Sequence, residues 1–266
     1  MKRVLRKDTS IAVMMSSAIG DTLLTMVLVN NLVRNGYRPM VVGWVMEDLT
    51  EWFPSIDLRR REELPPRVEL VMQLHATVEG RELARGGEFC EISKLDEFRN
   101  SEHMIDRFTA VARDTFELQD VTRDTGITPP SRLRLRANAA RVAMHPTGSH
   151  NDKIWPRAKF ASLARKLQSR GLEPTLLVSP DEKPAWLMDD SIAPYLQSFR
   201  SLSGVAEWIA ESGFVIGNDS GLGHLASALG VPTLSCLCAV ALLALGAPTG
   251  DAARSSCRPI SSSLEL

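Results

Sequence analysis

A polar segment follows the apolar run 214–216 and leads into an apolar helical pattern. Its sequence is GNDSGLGHLASALGVP, residues 217–232. In an open α/β sheet, ligands bind beyond the carboxyl ends of the strands, and a helix N-terminus there attracts phosphate. Gly221 and Gly223 would let a ligand approach the backbone closely, and Ser220 and His224 share one face of the predicted helix. The segment alone is equally compatible with a helix capped by Asp219 or Ser220, in which the glycines are incidental.

A second polar segment, HPTGSHNDKIWP at residues 145–156, also lies between a predicted strand and a predicted helix. Thr147, Gly148 and Ser149 offer small hydrogen-bond donors to phosphate oxygens. Lys153 adds a compact positive charge, which would stabilise a departing diphosphate. An ordinary polar loop with a surface lysine is the alternative that this segment leaves open.

A third segment, SSAIGDTLLT at residues 16–25, joins the first predicted strand to the first predicted helix. Gly20 permits a tight turn there. Asp21 has two possible roles. It could cap the helix, or its carboxylate could face a ligand and act as a general base on a hydroxyl group.

Three other kinds of site do not fit the sequence. GLGHLA matches the dinucleotide fingerprint, but 233–247 lacks the acidic residue expected about 20 positions later. The hydrolase motif G-x-S-x-G fails, because Asn218 and Leu222 stand where glycines are required. The phosphate-binding motif G-x-x-x-x-G-K-[ST] does not occur.

Composition narrows the class of protein further. The 266 residues carry a formal net charge of −1 at pH 7, so no global field recruits nucleic acid. The four cysteines lack the paired spacing of a zinc site or a disulfide framework, as expected in a reducing cytoplasm. The basic N-terminus lacks the apolar run of a signal peptide. The apolar segment 236–247 is shorter than the roughly 20 residues that span a bilayer, so we expect it in the core.

Strand-like and helix-like patterns alternate along the chain, which is typical of parallel sheets covered by helices. The predicted strands are Ile11–Met15, Met40–Val45, Val68–Leu74, Arg141–Met144, Thr175–Val178, Phe214–Ile216 and Thr233–Leu237. The predicted helices are Thr22–Asn35, Ile105–Phe116, Phe160–Arg170, Val205–Glu211 and Leu222–Leu229. The alternation stops at adjacent prolines and then restarts. We therefore expect two Rossmann-like domains with mainly parallel sheets, 1–128 and 138–266, joined by 129–137 and facing a cleft.

Taken together, the three polar segments resemble the family 9 glycosyltransferases, the ADP-heptose:lipopolysaccharide heptosyltransferases. The family pattern contains a G-D turn after the first strand, a loop ending in K-x-W-P, and D-[ST]-G-x-x-H-L-x-x-A-L-G-x-P. Here these motifs are Gly20-Asp21, Lys153–Pro156 and Asp219–Pro232. Their order and approximate spacing match, and they lie in both halves of the chain.

The resemblance implies a GT-B fold and an inverting, metal-independent transfer of a heptose-like sugar from a nucleotide-diphosphate donor. It implies no cofactor, and the sequence contains no Asp-x-Asp pair, the manganese-binding signal of the other large glycosyltransferase fold. The resemblance implies that Asp21 is the general base and that Lys153 neutralises the donor diphosphate. The donor-binding residues that it implies are Asp219, Ser220, Gly221 and His224, with Glu182 placed at the donor ribose. Thr147, Gly148 and Ser149 are expected to bind the donor with them, because of the hydrogen bonds that they offer to phosphate.

The implied acceptor is a hydroxyl of a saccharide, a lipid-linked saccharide or a lipopolysaccharide core, and nucleic acid is not a partner. We expect a cytoplasmic protein, with peripheral association with the inner membrane as an open alternative. Two other functions remain open at this point. One is a non-catalytic nucleotide-sugar-binding protein of the same fold, although it would not need a base such as Asp21. The other is a sugar-nucleotide epimerase of GT-B fold, which lacks this D-S-G-x-x-H-L arrangement.

Overall fold

The computed structural model describes residues 3–100, 103–148 and 154–236. The chain divides into two compact units, of which the first ends at Pro130 and the second begins at Ser131. Each unit contains a sheet and a hydrophobic core of its own.

The first unit contains five parallel strands within the described residues. They are β1 (Ile11–Met14), β2 (Met40–Val42), β3 (Asp57–Leu58), β4 (Leu70–Gln73) and β5 (Glu88–Glu91). Their order across the sheet is β3-β2-β1-β4-β5, and every pair of neighbours is parallel. Each residue of β1 is buried, as expected for a central parallel strand that is covered on both faces.

Helices cover this first sheet. They are α1 (Ile19–Arg34), α2 (Trp44–Asp48), α3 (Val78–Leu83), α4 (Asp96–Arg99) and α5 (Met104–Ala110), with a π-helical turn at Val111–Thr115 and 3₁₀ turns at Thr50–Trp52, Arg61–Glu63 and Ile92–Lys94. α1 is buried from Thr22 to Val29. A helix that is apolar over most of its surface belongs to the core rather than to a solvent-facing layer.

The second unit repeats this architecture over its described residues. Its five strands are β6 (Asn138–His145), β7 (Glu173–Leu177), β8 (Leu196–Gln197), β9 (Ser212–Asn218) and β10 (Thr233–Cys236). They lie in the order β10-β9-β6-β7-β8 and are again parallel. The helices are α6 (Arg157–Gln168), α7 (Lys183–Leu187), α8 (Leu202–Glu211) and α9 (Gly221–Ala228), with a 3₁₀ turn at Ala193–Tyr195.

The two sheets have the same strand order. In each unit the first strand lies at the centre, the second and third lie on one side, and the fourth and fifth lie on the other. The order therefore reverses between β1 and β4 in the first unit and between β6 and β9 in the second. Open α/β sheets bind ligands in the crevice at such a reversal, beyond the carboxyl ends of the strands.

The predicted fold class is confirmed, because both units are α/β with parallel sheets. Each predicted strand and helix is present, with shifted ends. The prediction for Met40–Val45 was wrong at its end, since β2 stops at Val42 and α2 begins at Trp44. The predicted core segment 236–247 lies outside the described residues after Cys236. None of the helices in the described ranges is long and apolar enough to cross a membrane.

Candidate active site

Asp21 lies in the first turn of α1, beyond the carboxyl end of the central strand β1. The helix begins at Ile19, and Ala18 occupies the N-cap position without a side-chain hydrogen bond. The alternative that Asp21 caps the helix is therefore wrong, because Asp21 is already inside it. Its Oδ2 accepts a long hydrogen bond of 3.4 Å from the Ser16 hydroxyl, and the residue is partly exposed. A carboxylate in this setting is able to accept a proton from a bound hydroxyl group.

Two buried threonines fix the backbone around Asp21. The Thr22 hydroxyl donates to the Ser16 carbonyl oxygen at 2.9 Å, and the Thr25 hydroxyl donates to the Asp21 carbonyl oxygen at 2.7 Å. Both threonines are buried, and a buried hydroxyl without a partner would cost about 1–3 kcal/mol. The turn that carries Asp21 is thus held in place by side chains that face away from solvent.

In the second unit, two of the polar segments meet at the ends of β6 and β9. These strands are parallel neighbours, and their register places His145 beside Gly217. A Cβ atom at Gly217 would lie 3.0 Å from the His145 carbonyl oxygen, so glycine permits this close approach. The start of the 145–156 segment therefore lies next to the start of the 217–232 segment, where the strand order reverses.

Asn218, the last residue of β9, joins the two segments through its side-chain amide. It is 1% exposed. Its Oδ1 accepts a hydrogen bond of 2.9 Å from the Trp155 backbone N–H. Its Nδ2 donates to the carbonyl oxygens of Pro146 at 2.9 Å and Thr147 at 3.3 Å. One buried side chain therefore holds the backbone on both sides of residues 148–154.

His145, the last residue of β6, lies between two of the predicted binding residues. Its Nδ1 is 2.8 Å from the Ser220 hydroxyl oxygen, and its Nε2 is 3.1 Å from the Thr147 hydroxyl oxygen. Burial lowers the pKa of the imidazole to about 4, although the Glu182 carboxylate acts in the opposite direction. His145 is therefore neutral at pH 7, and each of its nitrogens has a hydroxyl partner.

Ser220 occupies the N-cap position of α9, but its hydroxyl does not cap the helix. That hydroxyl binds His145 instead. The first N–H groups of a helix lack intrahelical acceptors, and the helix dipole makes this end attractive to phosphate. Gly221 is the first helical residue, and a Cβ at Gly223 would meet only the Ser235 hydroxyl, at 3.8 Å. The N-terminus of α9 thus has the geometry of an anion-binding site.

The two other motif residues of this segment lie on either side of that N-terminus. Asp219 is exposed and directly precedes the N-cap, whereas His224 is partly exposed and follows it by one helical turn. Glu182 lies at the N-cap position of α7, after β7, which is the other neighbour of β6. Its Oε2 accepts hydrogen bonds from the Ser179 N–H at 3.0 Å and from the Ser179 hydroxyl at 2.9 Å.

The structure thus brings most of the predicted donor-binding residues to the carboxyl ends of β6, β7 and β9. These residues are Thr147, Gly148, Glu182, Asp219, Ser220, Gly221 and His224. Asp21 lies at the corresponding end of β1 in the first unit. Ser149 and Lys153 lie outside the described residues. Among the described residues, no group of three or more histidine, cysteine, aspartate or glutamate side chains is placed to hold a metal ion.

Sequence reasoning missed His145 and Asn218 as site residues. Each is a polar residue at the end of a mostly apolar strand, and that is the signal that could have found them. A buried polar side chain needs hydrogen-bond partners, and the nearest partners at such a position are the loops of the neighbouring strand.

Comparison with known proteins gives a family match that extends over parts of both units. A family model described as glycosyltransferase family 9 (heptosyltransferase) matches residues 80–239, which is more than half of the chain. No curated protein matches the chain in sequence.

Several solved structures share the fold. E. coli heptosyltransferase WaaC with ADP-2-deoxy-2-fluoro heptose is 17% identical, with a TM-score of 0.64 over 85% of this chain and 88% of that one. E. coli ADP-heptose lps heptosyltransferase II is 16% identical, with a TM-score of 0.67 over 86% and 85%. The bacterial iron-containing dodecameric glycosyltransferase TibC, from enterotoxigenic E. coli, is 14% identical, with a TM-score of 0.57 over 88% and 59%.

Proposed function

The chain belongs to glycosyltransferase family 9, and on that premise we propose that it transfers a heptose-like sugar from a nucleotide-diphosphate donor to a hydroxyl of a saccharide or lipopolysaccharide core. ADP-heptose is the donor that we expect, because two of the structural neighbours are named with ADP-heptose or its fluorinated analogue. The observation that carries the proposal is the arrangement at β6 and β9. There the Thr147 and Ser220 hydroxyls both contact His145, beside the N-terminus of α9.

In the proposed complex, the second unit binds the donor. The diphosphate lies at the N-terminus of α9, where it receives hydrogen bonds from backbone N–H groups and from Thr147, Gly148 and Ser149. Lys153 adds positive charge to the leaving group. Ser220 and Gly221 also lie at the diphosphate, because they begin the segment that leads into α9. Glu182 binds the ribose, and Asp219 and His224 order the site.

In the proposed reaction, the Asp21 carboxylate takes the proton of the acceptor hydroxyl while the oxygen of that hydroxyl bonds to the anomeric carbon. The bond between this carbon and the diphosphate oxygen breaks in the same step, so the configuration at the carbon inverts. The nucleoside diphosphate leaves with the bonding electron pair. Its charge is stabilised by Lys153 and the N-terminus of α9. We propose that these groups serve in place of a metal ion, so that no cofactor is needed.

The proposed partners are therefore the nucleotide sugar and a saccharide or lipid-linked saccharide acceptor. A lipid-linked acceptor would be met at a membrane surface, so we propose cytoplasmic action with peripheral association with the inner membrane. Nucleic acid is not among the proposed partners.

Incubation with ADP-heptose and a panel of lipopolysaccharide-core oligosaccharides tests this function. We expect release of ADP, one new glycosidic bond of inverted anomeric configuration by NMR, and no loss of rate in EDTA. ADP-heptose at about 100 times its Kd should stabilise the protein by roughly 2.7 kcal/mol. Stabilisation without transfer to any acceptor would favour the non-catalytic binding protein, and an epimerised sugar would favour an epimerase. A rate abolished by EDTA and restored by a metal would contradict the metal-independent step.

A further inference from the structure

We propose that His145 is a positioning residue for the donor diphosphate: it binds the hydroxyls of Thr147 and Ser220 at the same time and so determines which of them donates to a phosphate oxygen. The inference rests on the proposed function, which places the diphosphate beside these two hydroxyls. His145 is not among the residues that carry the family resemblance.

The contacts of the imidazole leave it no direct role toward the ligand. Nδ1 is 2.8 Å from the Ser220 oxygen and Nε2 is 3.1 Å from the Thr147 oxygen. Both distances are those of ordinary hydrogen bonds. With both nitrogens occupied, His145 acts on a bound diphosphate through the hydroxyls and not by touching it.

Thr147, His145 and Ser220 share a limited number of protons for the hydrogen bonds between them. A neutral imidazole has one N–H and one lone pair, and burial keeps the ring neutral by lowering its pKa to about 4. If Nδ1 carries the proton, it donates to the Ser220 oxygen, and the Thr147 hydroxyl donates to Nε2. If Nε2 carries the proton, the roles of the two hydroxyls exchange. In either tautomer, one hydroxyl proton remains to donate to a phosphate oxygen.

The backbone on both sides of His145 is fixed, so the two hydroxyls have little freedom to escape this constraint. The Thr147 carbonyl oxygen is bound by the Asn218 amide, and Ser220 is the N-cap residue of α9, two residues after the end of β9. The ring therefore couples the loop after β6 to the N-terminus of α9. A diphosphate bound there accepts a hydrogen bond from one of the two hydroxyls. The other hydroxyl already donates its proton to the imidazole.

Three substitutions of His145 separate its two contacts from its packing. His145→Asn keeps a polar atom near the Nδ1 position and thus the contact with Ser220. His145→Gln reaches the Nε2 position and keeps the contact with Thr147. His145→Phe preserves a flat ring and removes both contacts. His103→Phe is the matched control, since His103 is an exposed residue of the first unit.

The readout is the affinity for ADP and for adenosine, measured by calorimetry. We expect His145→Phe to weaken ADP binding about 10- to 100-fold, the effect of one hydrogen bond to a charged group. Adenosine affinity should stay unchanged, and either the Asn or the Gln variant should recover most of the ADP affinity. His103→Phe should bind both ligands like the wild type. Unchanged ADP affinity in His145→Phe, an equal loss for both ligands, or no rescue by either amide would overturn the proposal.

The 15N NMR signals of the His145 ring give a readout that does not depend on nucleotide binding. We expect a neutral ring with a single dominant tautomer at pH 7, and a change in tautomer ratio in Thr147→Val and Ser220→Ala. A ring that is indifferent to both substitutions would refute the coupling even if ADP binds. If the coupling is present but ADP does not bind the wild type, the proposed function is wrong, and so is the role of His145 toward a diphosphate. The hydrogen bonds of His145 with Thr147 and Ser220 would still be confirmed.

Discussion

The two units share a strand order but use the ends of their strands differently. The last residue of the fourth strand is a buried amide side chain in both: Gln73 in the first unit and Asn218 in the second, 5% and 1% exposed. The Asn218 amide reaches across the strand-order reversal and binds the loop of the neighbouring strand. The Gln73 oxygen instead accepts hydrogen bonds from the N–H and hydroxyl of Thr77, at the start of its own α3.

This difference has consequences for what each crevice can bind. At the reversal of the second unit, the buried Asn218 ties the loop to β9 and the partly buried His145 ties it to α9. Such a fixed arrangement suits a small and invariant group such as a diphosphate. At the reversal of the first unit, the Asp21 carboxylate accepts a long hydrogen bond from the Ser16 hydroxyl. The same topology therefore carries several short side-chain hydrogen bonds at the reversal of the second unit, and a more loosely held carboxylate at the reversal of the first.

The largest expected effect comes from Asp21, the carboxylate at the strand-order reversal of the first unit. Asp21→Asn removes the proposed base and retains the shape of the side chain. Turnover should fall by about 10²–10⁴-fold, the usual contribution of general-base catalysis, while the Kd for ADP stays unchanged. Single-turnover kinetics with ADP-heptose and calorimetry with ADP provide the two measurements.

Ser16→Ala is the matched control for Asp21. It removes the 3.4 Å hydrogen bond to the carboxylate and should lower turnover less than 10-fold, because a bond this long is weak. If Asp21→Asn retained full activity, the base would have to be another residue. If it lost activity through unfolding, visible in the thermal transition, Asp21 would be a structural residue.

The second prediction compares the two amides directly. Asn218→Asp replaces the Nδ2 donor with an oxygen that faces the carbonyl oxygens of Pro146 and Thr147. We expect a loss of about 3 kcal/mol or more in the free energy of unfolding, because a buried charge would be left against acceptors. Gln73→Glu should cost about 1 kcal/mol, since its bound oxygen already acts as an acceptor. Equal losses in urea unfolding would show that the two amides have equivalent roles.

The third prediction concerns pH. The folded protein holds the His145 pKa at about 4, below the ordinary value of 6.5, so the unfolded chain binds a proton first as the pH falls. The contribution of the neutral ring is complete above about pH 6.5 and is lost between pH 6.5 and 4, at no more than about 1.4 kcal/mol per pH unit. The total over that range is about 3 kcal/mol.

Thermal unfolding from pH 7 to pH 4.5 measures this dependence. Carboxylates also titrate in this pH range, so the difference between the wild type and His145→Gln isolates the contribution of the ring. The variant should lose less stability on acidification than the wild type. Parallel curves for the two proteins would show that His145 does not stay neutral in the folded state.

The smallest expected effect concerns Lys153. Lys153→Ala should weaken ADP binding by about 10- to 30-fold, as expected for the loss of one contact to a charged group, and should leave adenosine binding unchanged. Lys153→Arg, which keeps the charge, should recover most of the affinity. Equal losses of affinity for ADP and adenosine in calorimetry would mean that Lys153 does not touch phosphate.

The two parallel sheets could be predicted from the sequence, because buried parallel strands have continuous apolar sequences, such as those within β1, β4 and β9. The short strands β3, β5 and β8 were missed, since they have two to four residues and largely lack fully buried side chains. The start of α1 was placed too late, because Gly20 was interpreted as a turn. Burial of the following residues extends the helix back to Ile19, so tertiary packing outweighs the low helix propensity of glycine.

The candidate site followed from the sequence only in part. The predicted donor residues meet because each lies at the end of a strand, which a motif search is able to find. His145 and Asn218 act on residues more than 60 positions away along the chain, and only the pairing of β6 with β9 brings them together. A contact of this kind depends on strand order, which the alternating pattern does not reveal.

The Asn218 amide also bears on the entropy of closing the loop that it holds. Closing a loop costs entropy that grows only slowly with its length, by about 0.6 kcal/mol for each doubling. Here the ends are joined by hydrogen bonds from one side chain to Pro146 and Trp155, and the aromatic ring of Trp155 packs edge to face on Phe160 at 5.0 Å. The anchoring points are thus independent of the intervening sequence. We therefore expect the fold of the second unit to tolerate substitutions between these two points, even where they abolish the proposed contacts of Ser149 and Lys153 with the diphosphate.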